Sequence, residues 1–413
     1  MAAPRHHRGG RAVLAAVLCA VLTPLAPLAT LTPLAPAPAA AAREPDIACA
    51  RTQTSAQGPV PSAQQAAYRA RLHSFATGRG VRVAVIDTGV SPHPQLAHLS
   101  PGADFVTAEE PDPLRDCDVH GTVVAGVIAG RESGVAPDAE IYSIRQTSAH
   151  YRYRSEEEDS GAGTLATLAA AIDDAVHNHA KVINISVVSC VPPAAASRVD
   201  TAGLDAALRR AEEAGAVIVA ATGNAAAGGC AKEDVVFPAN AETVLAVGAL
   251  ATPHDLAEYS IPAAHTGLAA EGHVPLALDP AGGWATGKFA PNSSSGAQGA
   301  SASAEPLAFH GTSFAAPVVS GTVALLAQRY PEDSPAQLRA RILGSAEPSH
   351  GVVDPLNALT FVPSNSPVPT NELEVLPSAQ HSSPAVARLG SLALVLAASL
   401  VVAALRAGQR RAG

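Results

Sequence analysis

Between about Arg79 and Leu359 the chain repeats one pattern: a short apolar run, a turn, then a helical stretch. The runs are Val81 to Asp87, Glu140 to Arg145, Val182 to Val188, Ala216 to Ala221 and Thr243 to Gly248. Helical patterns lie between them, at Gly121 to Ala129, Thr164 to Asn178 and Asp200 to Ala214, with Thr312 to Tyr330 and Ser334 to Gly344 following. Such alternation predicts an α/β fold, a doubly wound parallel sheet with helices on both faces. In that architecture functional residues gather at the carboxyl ends of the strands.

Within that frame the stretch FHGTSFAAPVVSG, Phe309 to Gly321, is unusual as the opening of a helix. Thr312 and Ser313 stand where an N-cap hydroxyl belongs. Pro317 falls at about the end of the first turn, at or just past the N–H groups that lack a partner. A cap alone is the ordinary reading of such a serine. The surroundings point further: Gly311 lets another backbone approach, Ala315 and Ala316 leave the hydroxyl uncrowded, and a helix N-terminus favours nearby negative charge. A nucleophile that meets a carbonyl and holds an oxyanion has these needs, and it also needs a base and an orienting acid from elsewhere.

Strand and helix ends supply both. RVAVIDTGV carries Asp87 to the sheet edge before Thr88-Gly89, DVHGTVVAGVIAG sets His120 at the start of a small-residue helix, and VIVAATGNAA ends on Gly223-Asn224 with a side-chain amide. Singly these read as a turn former, a structural histidine and a turn. Together, Asp, His and Ser in that chain order, with Asn between the second and third, form the subtilisin arrangement. The blocks DTGV, HGTVVAG, ATGN and GTSFAAP resemble those of the subtilisin-like serine proteases. With GVAPDAEIYSIRQTS, VINIS and the overall organisation, the chain more narrowly resembles the mycosins, membrane-anchored proteases of actinobacterial type VII secretion systems. Tyr259 to Ala290 follows that pattern poorly, and SSSGAQGASASAE is low in complexity.

The resemblance implies a serine endopeptidase in which Ser313 attacks a peptide carbonyl, His120 takes and returns its proton, and Asp87 fixes the imidazole. Asn224 and the Ser313 N–H are implied as oxyanion donors. Substrate backbone is expected to pair with Ser186, Val187 and Val188, while Ala220 to Gly223 wall the pocket for the residue before the cut. No cofactor is expected. Subtilases often hold calcium, yet no D-x-D-x-D loop is present and no metal site is read. The family also implies a different role, a structural subunit of a secretion channel, and a surface subtilase unrelated to secretion is a further reading.

Both ends read as membrane-processing signals. Arg5, Arg8 and Arg11 precede the apolar run Ala12 to Leu22, and small residues follow at Ala39 to Ala42, as in a signal peptide over 1–42. Residues 43–78 form an N-terminal extension too short for a core of its own, expected to lie along the 79–360 protease domain rather than to act as a folding propeptide. A Pro/Ser-rich linker (361–388) leads to Leu389 to Leu405, which has no charge and, at about 26 Å of helix, reaches the short end of a bilayer span. Arg406, Arg410 and Arg411 in the tail 406–413 place the C-terminus in the cytoplasm and the domain outside. A net charge of -9 without a central basic cluster excludes nucleic acid as the expected partner. Export suits the four cysteines left after Cys19. Three connectivities are open to them; Cys49 with Cys117 and Cys190 with Cys230 is favoured, because the second pair follows the ends of neighbouring strands. No second cluster suggests zinc. The run HYRYRSEEEDSGAG, His150 to Gly163, is either a solvated loop or an overhang at the site's rim that binds a partner or gates substrate.

Overall fold

The computed structural model describes residues 44–151, 162–226, 229–265, 267–289 and 305–363. The expected signal peptide, the transmembrane segment 389–405, the tail 406–413, nearly all of the linker and most of the His150 to Gly163 loop lie outside the described residues. No helix among the described residues is long and apolar enough to cross a membrane. Contacts divide the chain into residues 360–413 and residues 1–359, and the latter hold the fold.

Its centre is an eight-stranded sheet. In spatial order the main strands are Leu99–Asp104, Glu140–Arg145, Arg82–Asp87, Val182–Ile185, Val217–Ala221 and Val244–Thr252, all paired in parallel. Leu268–Glu271 adds in parallel to the last of these, and Asp255–Leu256 adds antiparallel. Chain order reverses at Arg82–Asp87, whose neighbours are Glu140–Arg145 on one side and Val182–Ile185 on the other. That places the crevice for a site at its carboxyl end.

Alternate side chains sort the two faces. Val83 and Val85 join Val217, Val219, Leu245 and Val247 against the Gly121–Ala129 and Thr312–Arg329 helices, whereas Ala84, Ile86, Ile183 and Ile185 meet the Leu165–His177 and Ala202–Glu213 helices. These last two helices show the amphipathic spacing directly. Leu168, Ala171, Ile172 and Ala175 are buried on one, Leu204, Ala207, Leu208 and Ala211 on the other. The Thr312–Arg329 helix is buried from Ala315 through Leu326 except at Val318, and its alanines and glycine let it press into the sheet.

Two expectations need correction. The strand predicted to run from Val182 to Val188 ends at Ile185, because Ser186 turns to meet the start of the Thr312–Arg329 helix; Ser189–Val191 pairs instead with Val235–Phe237. The edge strand Leu99–Asp104 was not expected at all, since its Pro and Gly argue against a strand, and both are tolerated there because the strand has a neighbour on one side only.

The N-terminal extension lies along the domain. Thr52–Ser55 pairs antiparallel with Trp284–Lys288, the Ala63–His73 helix buries Leu72, and Tyr68 donates its hydroxyl to Asp354 at 3.1 Å. Disulfides join Cys49 to Cys117 and Cys190 to Cys230, the favoured pairing.

Candidate active site

Four sequence-predicted residues converge at the carboxyl edge of the sheet. Asp87 is the last residue of its strand and fully buried, and its Oδ1 accepts the backbone N–H of Thr88 at 2.8 Å. The same oxygen stands 2.6 Å from His120 Nδ1, so the imidazole presents its other nitrogen outward. His120 is the N-cap of its helix and keeps 20% of its side chain exposed. The helix reaches this position only because residue 121 lacks a side chain: a Cβ there would stand 2.1 Å from the Gly89 carbonyl oxygen. Desolvation pushes the His120 pKa down, but the charge of Asp87 and its hydrogen bond outweigh that and hold it above the ordinary value.

The loop that carries His120 is tightly tied. Asp116 is buried, accepting from the Thr88 hydroxyl, the Asp118 N–H and the Thr122 N–H. Burial pushes its carboxyl up to about 6 against the lowering effect of the Thr122 N–H and hydroxyl, and the charge of Asp118 adds to the rise. Cys117 is bonded to Cys49, and its carbonyl accepts the Ala50 N–H at 2.9 Å. Asp118 receives Ser148 and the Ala149 N–H on its carboxylate and Lys288 Nζ on its carbonyl at 2.8 Å. Val119 then adopts φ 62°, a left-handed conformation that costs a β-branched residue roughly 1–3 kcal/mol and persists where surrounding contacts over-determine it.

The serine helix begins at Thr312, with Gly311 as N-cap, and neither hydroxyl caps it as expected. Thr312 Oγ1 accepts the Gly223 N–H at 3.1 Å and donates to Asn224 Oδ1, which also accepts the Thr312 N–H at 2.9 Å. Both bonds fall on the oxygen, and the Asn224 NH2 has no hydrogen-bond partner among the described residues. Gly311 gives it room, since a Cβ there would lie 3.1 Å from Asn224 Nδ2. Ser313 Oγ donates to the Ser186 carbonyl at 3.0 Å, and Phe314 packs its ring 5.2 Å from that of His120.

Pro317 explains the Ser186 side chain. Its missing N–H is the one that would bond the Ser313 carbonyl, and Ser186 Oγ donates to that carbonyl at 2.8 Å in its place. Ser186 Oγ in turn accepts from Asn184, whose carbonyl oxygen takes the Ser320 hydroxyl, so strand and helix are locked through buried polar groups. Val187 and Val188 are half-buried beside a cavity of about 80 Å³ that Gln146, Thr164 and Leu168 also line.

Sequence reading missed Thr88, Asp116, Ser320 and Lys288, and it gave Thr312 the wrong duty. Only Thr88, next to Asp87, had a positional signal. Among the described residues no group of three His, Cys, Asp or Glu side chains could hold a metal.

Comparison with known proteins bears on this geometry. Residues 78–372 match the model of the subtilase family. Mycosin-4 of Mycobacterium tuberculosis is 36% identical over 315 residues, covering 70% of this chain and 66% of that relative, and mycosin-3 of the same organism is 34% identical over 387 residues, covering 82% and 81%. Among solved structures, a crystal structure of MycP1 from the ESX-1 type VII secretion system aligns with TM-score 0.67 and 30% identity, over 78% of this chain and 92% of that one. A chain of an intact ESX-5 inner membrane complex aligns with TM-score 0.67 and 30% identity, over 87% and 93%.

Proposed function

The chain belongs to the subtilase family and is a mycosin-type serine endopeptidase, and from that premise we propose how its residues divide the work. Ser313 is the nucleophile, His120 the general base and acid, Asp87 the group that fixes the imidazole tautomer, and Asn224 an oxyanion donor beside the Ser313 N–H. The carrying observation is the 2.6 Å contact of His120 Nδ1 with a buried Asp87, which leaves the second ring nitrogen to take a proton. Before attack the Ser313 hydroxyl gives up its bond to the Ser186 carbonyl and hands its proton to His120. Attack then forms a tetrahedral oxyanion stabilised by the Asn224 amide, and its collapse breaks the C–N bond as His120 gives the proton to the leaving amine. The Ser313 ester left behind is hydrolysed by a water that His120 deprotonates, which returns Ser313 to its hydroxyl form. Substrate backbone lies along Ser186, Val187 and Val188, which carry no strand pairing of their own.

The proposed organisation is a signal peptide over 1–42, an extension over 43–78, a protease domain over 79–360, a linker and a membrane helix over 389–405. The domain is extracytoplasmic and the C-terminus cytoplasmic. The substrate is an exported protein, and the partner is a type VII secretion membrane complex, a reading supported by the likeness to a chain of the ESX-5 inner membrane complex. The same likeness favours a second role, as a structural subunit of such a complex.

Purified full-length chain treated with a fluorophosphonate probe and examined by mass spectrometry tests the first reading. Label confined to Ser313 and lost in Ser313→Ala is expected; a folded chain without label would put the structural role first.

A further inference from the structure

We propose that Lys288 is a positioning residue for the general base, holding His120 in place through the Asp118 carbonyl and linking the catalytic loop to the N-terminal extension. The inference rests on the proteolytic reading above and goes beyond it by adding a residue that touches neither substrate nor reacting atoms.

Three observations converge. First, Lys288 Nζ donates at 2.8 Å to the carbonyl of Asp118, two residues before His120, and the peptide that follows leads into Val119 at φ 62°. A residue held in a left-handed conformation relaxes when its flanking peptide is released, so a fixed charge on that carbonyl keeps the turn, and with it the imidazole, in register. Second, the Lys288 backbone is held on both sides. It stands opposite Thr52 in the ladder with the extension and exchanges two 2.8 Å hydrogen bonds with Leu307. The side chain therefore starts from a fixed base, with the extension supplying one wall. Third, the chain has three lysines, Lys181, Lys232 and Lys288, and arginine carries the rest of its positive charge. A compact ammonium on a flexible stem suits a single carbonyl in a half-buried place, where a planar guanidinium fork does not.

The charge has a further consequence for the base. The groups facing His120 are Asp87 from its strand, Asp116 from its own loop, Lys288 from the strand paired with the extension, and the uncharged Phe314 ring from the serine helix. Asp87 and Asp116 favour the protonated imidazole, and Lys288 opposes it. Lys288 thus keeps a larger fraction of His120 neutral near pH 7, the form that accepts the serine proton.

The test follows the rate of Ser313 labelling by a fluorophosphonate from pH 5 to 9 in full-length wild type, Lys288→Met, Lys288→Gln and Lys288→Arg. Lys288→Met is expected to label roughly tenfold more slowly at pH 7 and to move the acid limb upward by roughly half a pH unit, because both the tie and the charge are gone. Lys288→Gln, which keeps a polar head and is the gentler change should the Met variant not fold, is expected to move the limb in the same direction. Lys288→Arg should return the limb to its wild-type position. A purely structural lysine would lower the folded fraction and leave both the labelling rate per folded molecule and the limb unmoved, so an unchanged rate and limb in folded Met or Gln variants overturn the inference. A wild-type chain that takes no label overturns the proteolytic reading itself and this inference with it.

Discussion

Removing the Ser186 hydroxyl should be partly repaired by a second change that alone has little to repair. In the folded chain Ser186 Oγ donates to the Ser313 carbonyl and accepts from Asn184 Nδ2, at 2.8 and 2.9 Å. Ser186→Ala leaves a buried donor and a carbonyl without partners, at about 1–3 kcal/mol each, so a loss of roughly 2–6 kcal/mol is expected. Pro317→Ala restores the N–H that a regular helix would send to the Ser313 carbonyl. In the wild type that N–H competes with a hydroxyl already in place, whereas in Ser186→Ala it fills a vacancy, and the packing lost with the proline ring is common to both backgrounds. The double-mutant cycle therefore isolates one hydrogen bond, and a favourable coupling of about 1 kcal/mol or more is expected. Urea unfolding midpoints of the four chains measure it. Additivity within about 0.5 kcal/mol would refute the idea that the serine hydroxyl stands in for the N–H that proline lacks.

Other expectations concern chemistry and pH. Asn224→Ala should slow Ser313 labelling or peptide cleavage by about 100 to 1,000-fold, the range for a single oxyanion donor, while Thr312→Val, which frees one of the two bonds on Asn224 Oδ1, should cost roughly tenfold. As the proposed base His120 acts only when neutral, and the Asp87 charge and hydrogen bond hold its pKa above the ordinary histidine value, so labelling should fall as pH drops through a point above that value. Asp87→Asn should move that limb downward. Asp116 takes its proton at about 6 when folded against an ordinary 3.8, so its contribution to stability grows as pH falls from 6 to about 4 and is lost as pH rises through 6. The stability of wild type relative to Asp116→Asn, whose amide does not titrate, should accordingly rise from pH 7 to pH 4 in thermal melts.

The parts that could be read from the sequence are those whose physics is local. Glu140–Arg145 and Gly121–Ala129 have the predicted limits because an apolar run, and a helical run bounded by Gly121 and Gly130, state them without reference to distant chain. Asp87, His120, Ser313 and Asn224 could be singled out as candidates because each stands at or just past the end of an element beside a glycine or a hydroxyl residue, and because their order along the chain is informative; the fold brings these four together. Leu99–Asp104 escaped notice because its composition opposes a strand and only a neighbour's free edge makes it one.

What tertiary structure alone decided is which polar side chain answers which. Thr312 meets Asn224 across 88 residues, Ser186 meets Ser313 across 127, and Lys288 meets Asp118 across 170. A sequence specifies secondary structure and a chemical inventory through neighbours a few positions apart. The pairing of buried donors with acceptors is set by how the sheet stacks its strand ends, because each buried polar group takes whatever partner the packed fold brings within 3 Å.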